Sequence, residues 1–596
     1  MKRLELIGLQ CVLIFVLGLV CGAAFGDDYY VNDDVAEPGF AAGDDANPGT
    51  SPDEPMRNIQ SLLDAYPAIG TGDTVHVSTG TYLENICIGS SHSGLTLLGD
   101  GPVLTTIDGG ASGSCLHFDE SDDGTVSGFT LTNGSGSPQG DVTYGGGIYC
   151  YNSSPTITNN TITGNAAEAG AGIYCEYNCA PTIANNTITS NTSGWGGGIC
   201  CFDGSHGTFT DNFFMDNSGT SEGGGIYCYD WSSPNIANNT ILENRSDEGY
   251  GGGIDCYGCC SPPITSNIIA GNTAQYGGGI ECYQFCEATI TNNLIVNNTG
   301  SWGGGIDCEQ YSSPTMTNNT IADNTSVYGG GVYIGHDTPT ITNCILWGNT
   351  ADEGPQIHMY GAGGEPSRLT VSYSDVAGGE AAVAREEEAH CVLTWGPGNI
   401  DTDPLFADPE SGDYHLKSAC GRWDPAASAG AGGWAIDDVN SPCIDAGDHG
   451  SDFSNEPQPN GGRINMGAYG NTAEASKAPF ALAVQSSPIT GVSITGDEPG
   501  TTNYTAACSP HQVVILTAPA SVSKGGRNYT FVCWFVDEEP QTEGEKDVEV
   551  IMDLGLTVTA IYDWRLLGDL TGDCKVDILD MMYLRNRLGT TCGDSE

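Results

Sequence analysis

Residues 277–302 read GGGIECYQFCEATITNNLIVNNTGSW, and residues 303–328 read GGGIDCEQYSSPTMTNNTIADNTSVY. The two lines match column by column. Three glycines lead to an aliphatic residue, an acid and a cysteine. A turn follows, then two short Thr/Ile-rich pieces that run into asparagines. The phrase begins at Gly145, Gly170, Gly196, Gly223, Gly251, Gly277, Gly303 and Gly329. Its period, about 26 residues, is that of solenoids, propellers and arrays. The pieces are too short for helices and rich in residues that suit a pleated strand. A propeller blade needs about 40 residues and hairpin turns. Three short strands and three turns instead close one coil. Coils stack at roughly 4.8 Å, and each buries its apolar side only against its neighbours. The expected fold is therefore all-β, a parallel β-helix.

Stacking turns sequence columns into ladders. One asparagine column runs from Asn160 through Asn293 to Asn319, a second from Asn165 through Asn298 to Asn349. An amide has donors and an acceptor, so such a column bonds coil to coil. The column from Ile148 through Ile280 and Ile306 to Val332 is the expected core. With these columns the repeats resemble the right-handed parallel β-helix repeats of the pectate-lyase-like superfamily, in its secreted bacterial form. That resemblance implies the fold. The superfamily's chemistry is too varied for it to imply an activity.

The chain has 596 residues, a formal net charge of -58 and 24 cysteines. The charge argues against nucleic acid and anionic membranes and favours cations, calcium above all. The cysteines point to an oxidising compartment. Lys2 and Arg3, the apolar run Cys11–Val20 and Ala24-Phe25-Gly26 form a secretory signal over residues 1–26. No later stretch is apolar enough to span a bilayer. The expected protein is secreted or held at the cell surface.

Residues 27–110 form the expected amino-terminal cap and first coils, with a short helix near Met56–Tyr66. Such a lid is needed because a bare coil edge invites aggregation. The core repeats occupy residues 111–350. Residues 351–475 carry NIDTDPLF, GDYHL, SPCIDAGD and GRINMGAYG, phrases that resemble the carboxy-terminal finish of secreted β-helix proteins. Residues 476–564 alternate as strands and resemble the small all-β repeat domain of internalin-type surface proteins.

Residues 565–596 hold the most specific chemical motif. Asp569, Thr571, Asp573, Asp577 and Asp580 fall at positions 1, 3, 5, 9 and 12 of an EF-hand loop, with the Lys575 carbonyl at position 7. A hard cation needs several oxygens converging within one tight loop. Calcium is the expected ligand. The stretch resembles one repeat of a type I dockerin, which implies a cohesin-like or cell-surface anchor partner. It departs from that pattern: there is no duplicate loop, Cys574 replaces the turn glycine, and Ile578-Leu579 replace the recognition pair.

A polysaccharide lyase needs a basic side chain, and between Tyr144 and Asn349 the only Lys or Arg is Arg245. One constellation remains. Asp255, Glu281 and Asp307 share the outward column between the core aliphatic and the cysteine. Stacking sets neighbours roughly 5 Å apart and the outer pair roughly 10 Å apart, which brackets the carboxylate separations of glycosidases. Tyr227, Tyr229, Tyr257, Tyr283 and Trp302 lie beside them as candidate sugar-stacking rings. Three readings stand: a surface of rings packed on each other, a strip that binds extracellular polysaccharide, and a glycoside hydrolase.

The cysteine column from Cys150 to Cys308 reads as a ladder of buried thiols, because parallel Cβ vectors suit disulfides poorly. Its satellites Cys179, Cys260 and Cys286 are expected in local bridges. Cys420–Cys443, Cys508–Cys533 and Cys574–Cys592 are further candidate pairs. No histidine accompanies the column, which disfavours zinc.

Overall fold

The computed structural model describes residues 26–121, 123–362, 366–427, 432–508, 512–552 and 555–563. The secretory segment before Gly26 and the calcium loop 569–580, with Cys574 and Cys592, lie outside them. The chain divides into two compact units, Met1–Asn235 and Ile236–Glu596.

In the first unit, Asp28–Val31 pairs in parallel with Thr74–Val77, and that strand with Thr96–Gly99. The capping helix spans Ile59–Ala65 and buries Ile59, Leu62 and Leu63. Its first free amides are met from a distance: Ile59 and Gln60 donate to the two oxygens of Glu84, each at 2.9 Å. An anion there also suits the positive end of the helix. The repeats follow as parallel coils, with Ile148, Ile173 and Ile199 in one register. Ala166–Ala169, Thr192–Trp195 and Ser218–Glu222 add a fourth parallel line ahead of the glycines, so these coils have four sides where three were expected.

The second unit continues the pattern. Ile254–Tyr257, Ile280–Tyr283, Ile306–Glu309 and Val332–Gly335 pair in parallel, residue on residue. Ile254, Ile280, Ile306 and Val332 are fully buried. The asparagine ladders form as expected. Asn298 Nδ2 donates to Asn324 Oδ1 at 3.0 Å and to Ile269 O at 2.9 Å, and its own Oδ1 accepts from Asn272 Nδ2 at 3.0 Å. One amide thus bonds to the asparagine of the coil on either side and to a carbonyl within the strand Ile268–Ala270.

The segment after about residue 400 differs from expectation. Coils continue only through Cys391–Trp395, which pairs with Ser367–Ser372. The chain then folds back and lies along the outer face of earlier coils. Tyr414 Oη donates to Asp323 Oδ2 at 2.7 Å, Asn292 Nδ2 to Ala468 O at 2.9 Å, and Ala468 N to Thr320 Oγ1 at 3.0 Å. Leu294, Val296 and Ala322 on the coils are buried against Tyr414 and Ala468. Beyond it, residues 480–563 form two sheets around Trp534, Tyr562 and Leu482.

Among the described residues the expected disulfides are not formed. Cys179, Cys286, Cys443, Cys508 and Cys533 are thiols. The satellite thiols close turns instead. Cys179 Sγ donates to Glu176 O at 2.9 Å and Cys260 Sγ to Tyr257 O at 3.0 Å. Ser205 donates the same bond to Phe202 O at 2.8 Å and Ser312 to Glu309 O at 2.9 Å. A cysteine here does the work of a serine.

Candidate functional site

The strands that carry Asp255, Glu281 and Asp307 alternate as the sequence requires. Their aliphatic and cysteine positions point into the coil, so the acids point outward. Asp255 pairs with Glu281, Glu281 with Asp307, and Asp307 with Tyr333. The column is therefore real.

Its expected exposure is not. All three acids are 0% exposed. The cause is the glycine triplet. Gly251, Gly277 and Gly303 have φ of 57°, 59° and 57°, a left-handed turn that carries the preceding chain back over the strand. A Cβ on Gly251 would lie 2.4 Å from Asp255 Cβ, so only a bare backbone fits as the roof. Tyr250, Tyr276, Trp302 and Tyr328 continue that roof as bridged neighbours. Their centroids are 4.7, 4.7 and 6.1 Å apart, with planes within 19°.

Among the described residues, the oxygens of Glu281 and Asp307 have no hydrogen-bond partner. Burial, then the charges of Asp307, Glu309 and Asp255, hold the Glu281 carboxyl well above its ordinary range. Burial, then Glu309 and Asp337, do the same to Asp307. Both groups are driven toward the neutral acid. Among the described residues no three His, Cys, Asp or Glu side chains converge as a metal site. In this structure the three acids form the expected column but are buried beneath the glycine turn, not displayed as an outward strip.

The expected aromatic residues divide. Tyr227 is buried, at 7% exposure, with its ring on Tyr229. Tyr229, Tyr257, Tyr283 and Trp302 are half-buried. Tyr257 and Tyr283 stack at 5.1 Å and 20°. Trp302 is held between Tyr276 and Tyr328.

Two exposed rings lie in the turn just beyond these strands. Phe285 and Tyr311 are 52% and 42% exposed, with centroids 5.3 Å apart and planes at 13°. Carbon contact needs only about 3.5–4.0 Å, so the two rings overlap like tiles and each leaves part of a face open. Gln284 and Phe285 have φ of 57° and 60°, Gln310 and Tyr311 of 62° and 70°. Bulky residues in left-handed backbone are outliers that cost about 1–3 kcal/mol each. Phe285 N donates to Gln310 O at 3.1 Å, which holds the two turns in register. In the first unit, Tyr177 and Trp231 show the same combination, with φ of 71° and 63° and exposures of 50% and 65%. Sequence reasoning missed these rings. The signal was an aromatic two or three residues after the column cysteine.

A family model described as a right-handed β-helix region matches residues 69–196, 147–302 and 250–372, together more than half of the chain. The chain belongs to the right-handed β-helix family. A second model, described as disaggregatase related, matches residues 382–447 of this β-helix protein. No curated protein matches it. Among solved structures, it is similar to pectate lyase Pel9A at 15% identity, covering 75% of this chain and 97% of that one, with a TM-score of 0.37. The catalytic domain of a GH87 α-1,3-glucanase matches at 13% identity, covering 57% of this chain and 67% of that one, TM-score 0.31. PfbA, a surface adhesin of Streptococcus pneumoniae, matches at 13% identity, covering 64% and 94%, TM-score 0.28. Likeness at this level says nothing about activity.

Proposed function

We propose that this β-helix is an extracellular protein that binds polysaccharide through the tiled aromatic turn of Phe285 and Tyr311, flanked by Gln284, Gln310 and the half-buried Tyr257 and Tyr283. The observation that carries the reading is the pair itself: two exposed rings stacked on successive coils, carried on the left-handed turn that recurs at Asp203, Asp230 and Cys259. Exposed ring faces offer apolar contact to a sugar, and the glutamine amides offer hydrogen bonds to its hydroxyls. The acidic charge of the whole chain favours neutral over anionic polymers. Affinity electrophoresis against neutral polysaccharides tests it. Phe285→Ala with Tyr311→Ala should abolish retardation by the polymer that slows the parent chain. Unchanged retardation would refute the platform.

The carboxy-terminal loop belongs to the same proposal. Asp569, Thr571, Asp573, Asp577 and Asp580, with the Lys575 carbonyl, supply oxygens at the spacing calcium takes, and the loop would serve an anchor partner. Calorimetric titration of calcium into the full chain, against an Asp573→Ala, Asp577→Ala variant, tests that part separately.

A further inference from the structure

The outward positions of one sheet change character along the second unit. Thr240 and Leu242 are followed in register by Ile268 and Ala270, then by Leu294 and Val296, then by Thr320 and Ala322. An outward face this apolar needs a cover. The returning segment supplies it for Leu294, Val296 and Ala322. The cover stops short of the apolar face. Ile268 remains 43% exposed, and Leu242 and Ala270 are half-buried. A cavity of about 750 Å³ lies over them, between the coils and the stretch around His415, Tyr469 and Glu474.

Polar groups line it beside the aliphatic floor, and one of them, His415, is fixed in place. His415 is 2% exposed. Its Nδ1 lies 2.6 Å from Asp413 and its Nε2 3.4 Å from Glu474. The Tyr469 ring stacks on it at 3.6 Å. Arg422 Nη1 holds the other oxygen of Asp413 at 3.0 Å. Glu474 keeps 48% of its side chain exposed; among the described residues it is the one carboxylate on the lining, and no lysine or arginine joins it. Asn238 and Asn292 add amides to the rim. An aliphatic floor, convergent hydrogen-bonding groups and this volume are the marks of a small-ligand site. The aliphatic floor beside amides, hydroxyls and one carboxylate suits neutral ligands with an apolar face and a hydroxylated edge.

We propose that this cavity is a second saccharide site, taking one or two neutral sugar rings with the apolar face on Ile268 and Leu242 and hydroxyls on Glu474 and Asn238. The choice of a sugar rests on the reading of Phe285 and Tyr311 as a glycan platform. The cavity itself does not.

The test uses the full chain and four neutral hexasaccharides as probes, of β-1,4-glucan, β-1,3-glucan, mannan and xylan. Calorimetry gives stoichiometry and saturation-transfer NMR gives contact. Ile268→Thr restores the residue that Thr240 and Thr320 already place in that column, so the coil tolerates it. Combined with Glu474→Gln, it should remove one binding event of two, or weaken it about tenfold or more. Phe285→Ala with Tyr311→Ala should remove the other and leave the cavity event intact. If the cavity variant binds as the parent does, the second site is refuted and the platform stands. If only the platform variant binds as the parent does, the platform is refuted and the cavity stands. No binding of any probe to the parent at millimolar concentration refutes both.

Discussion

Glu281 stands beside Asp307 across a parallel ladder, and both carboxyl groups are buried with no hydrogen-bond partner among the described residues. The ordinary values for these groups are 4.5 and 3.8. In the fold both are raised, first by burial. The folded chain therefore binds protons more tightly than the unfolded chain, and stability falls as pH rises from those ordinary values to the folded ones. Glu281→Gln with Asp307→Asn should flatten that fall. Thermal melts from pH 4 to pH 8 should converge at the acid end, and the variant should gain about 1–3 kcal/mol at the alkaline end. Parallel curves across the range would show that the two acids do not set the slope.

The amide ladders make a second, opposite prediction. Asn298 bonds to Asn272, Asn324 and Ile269 O. Asn298→Ala leaves several buried groups without partners, at about 1–3 kcal/mol each. Chemical denaturation should show a loss of about 3 kcal/mol or more, well beyond an ordinary surface asparagine. A loss below about 0.5 kcal/mol, as at a neutral surface site, would mean that the ladder is decoration.

Thiol and serine are interchangeable in the turn after the column strand. Cys179 and Ser205 donate to the carbonyl three residues back at 2.9 and 2.8 Å. Cys179→Ser should therefore change stability by no more than about 0.5 kcal/mol. Reductant should leave the melting temperature of the parent chain unchanged. A lower melting temperature under reductant would reveal a bridge.

Every coil must solve the same packing problem with the same columns, which is why the core line through Ile280 and the rungs through Asn293 were legible from spacing alone. The burial of Asp255, Glu281 and Asp307 was not. It depends on where a left-handed glycine sends the chain, and the strand alternation that marks a side chain as outward is silent about what crosses above it. The return of residues 401–475 over the coils was equally hidden, although it left a trace. Thr-x-Thr gives way to Ile268-x-Ala270 and Leu294-x-Val296, apolar on both faces, and an outward aliphatic pair asks for a cover. Phe285 and Tyr311 were missed for a related reason: bulky rings are unexpected in left-handed turns, so the turn read as a connector.

The His415 corner should respond to pH locally and in a defined sense. Asp413, Glu474, Arg422 and Tyr469 face it. Burial alone would lower the imidazole value, but the bonds to Asp413 and Glu474 outweigh it, and the net shift is upward from 6.5. Burial opposes Asp413 as well, yet the bonds from His415 and the charge of Arg422 bring it below 3.8. The histidine's contribution is complete below pH 6.5 and is lost as pH rises through its folded value. The aspartate's is complete above pH 3.8 and is lost as pH falls through its own. Between those limits the returning segment is held hardest. Hydrogen exchange should give amides of residues 413–416 protection factors that are highest in mildly acidic buffer and decline toward alkaline pH. His415→Gln should lower them in mildly acidic buffer and remove the alkaline decline, while leaving the amides of Ile280–Tyr283 as they were. Protection that climbs with pH in the parent chain would mean that the imidazole is held neutral, and the ion pairs assigned to it would have to be withdrawn.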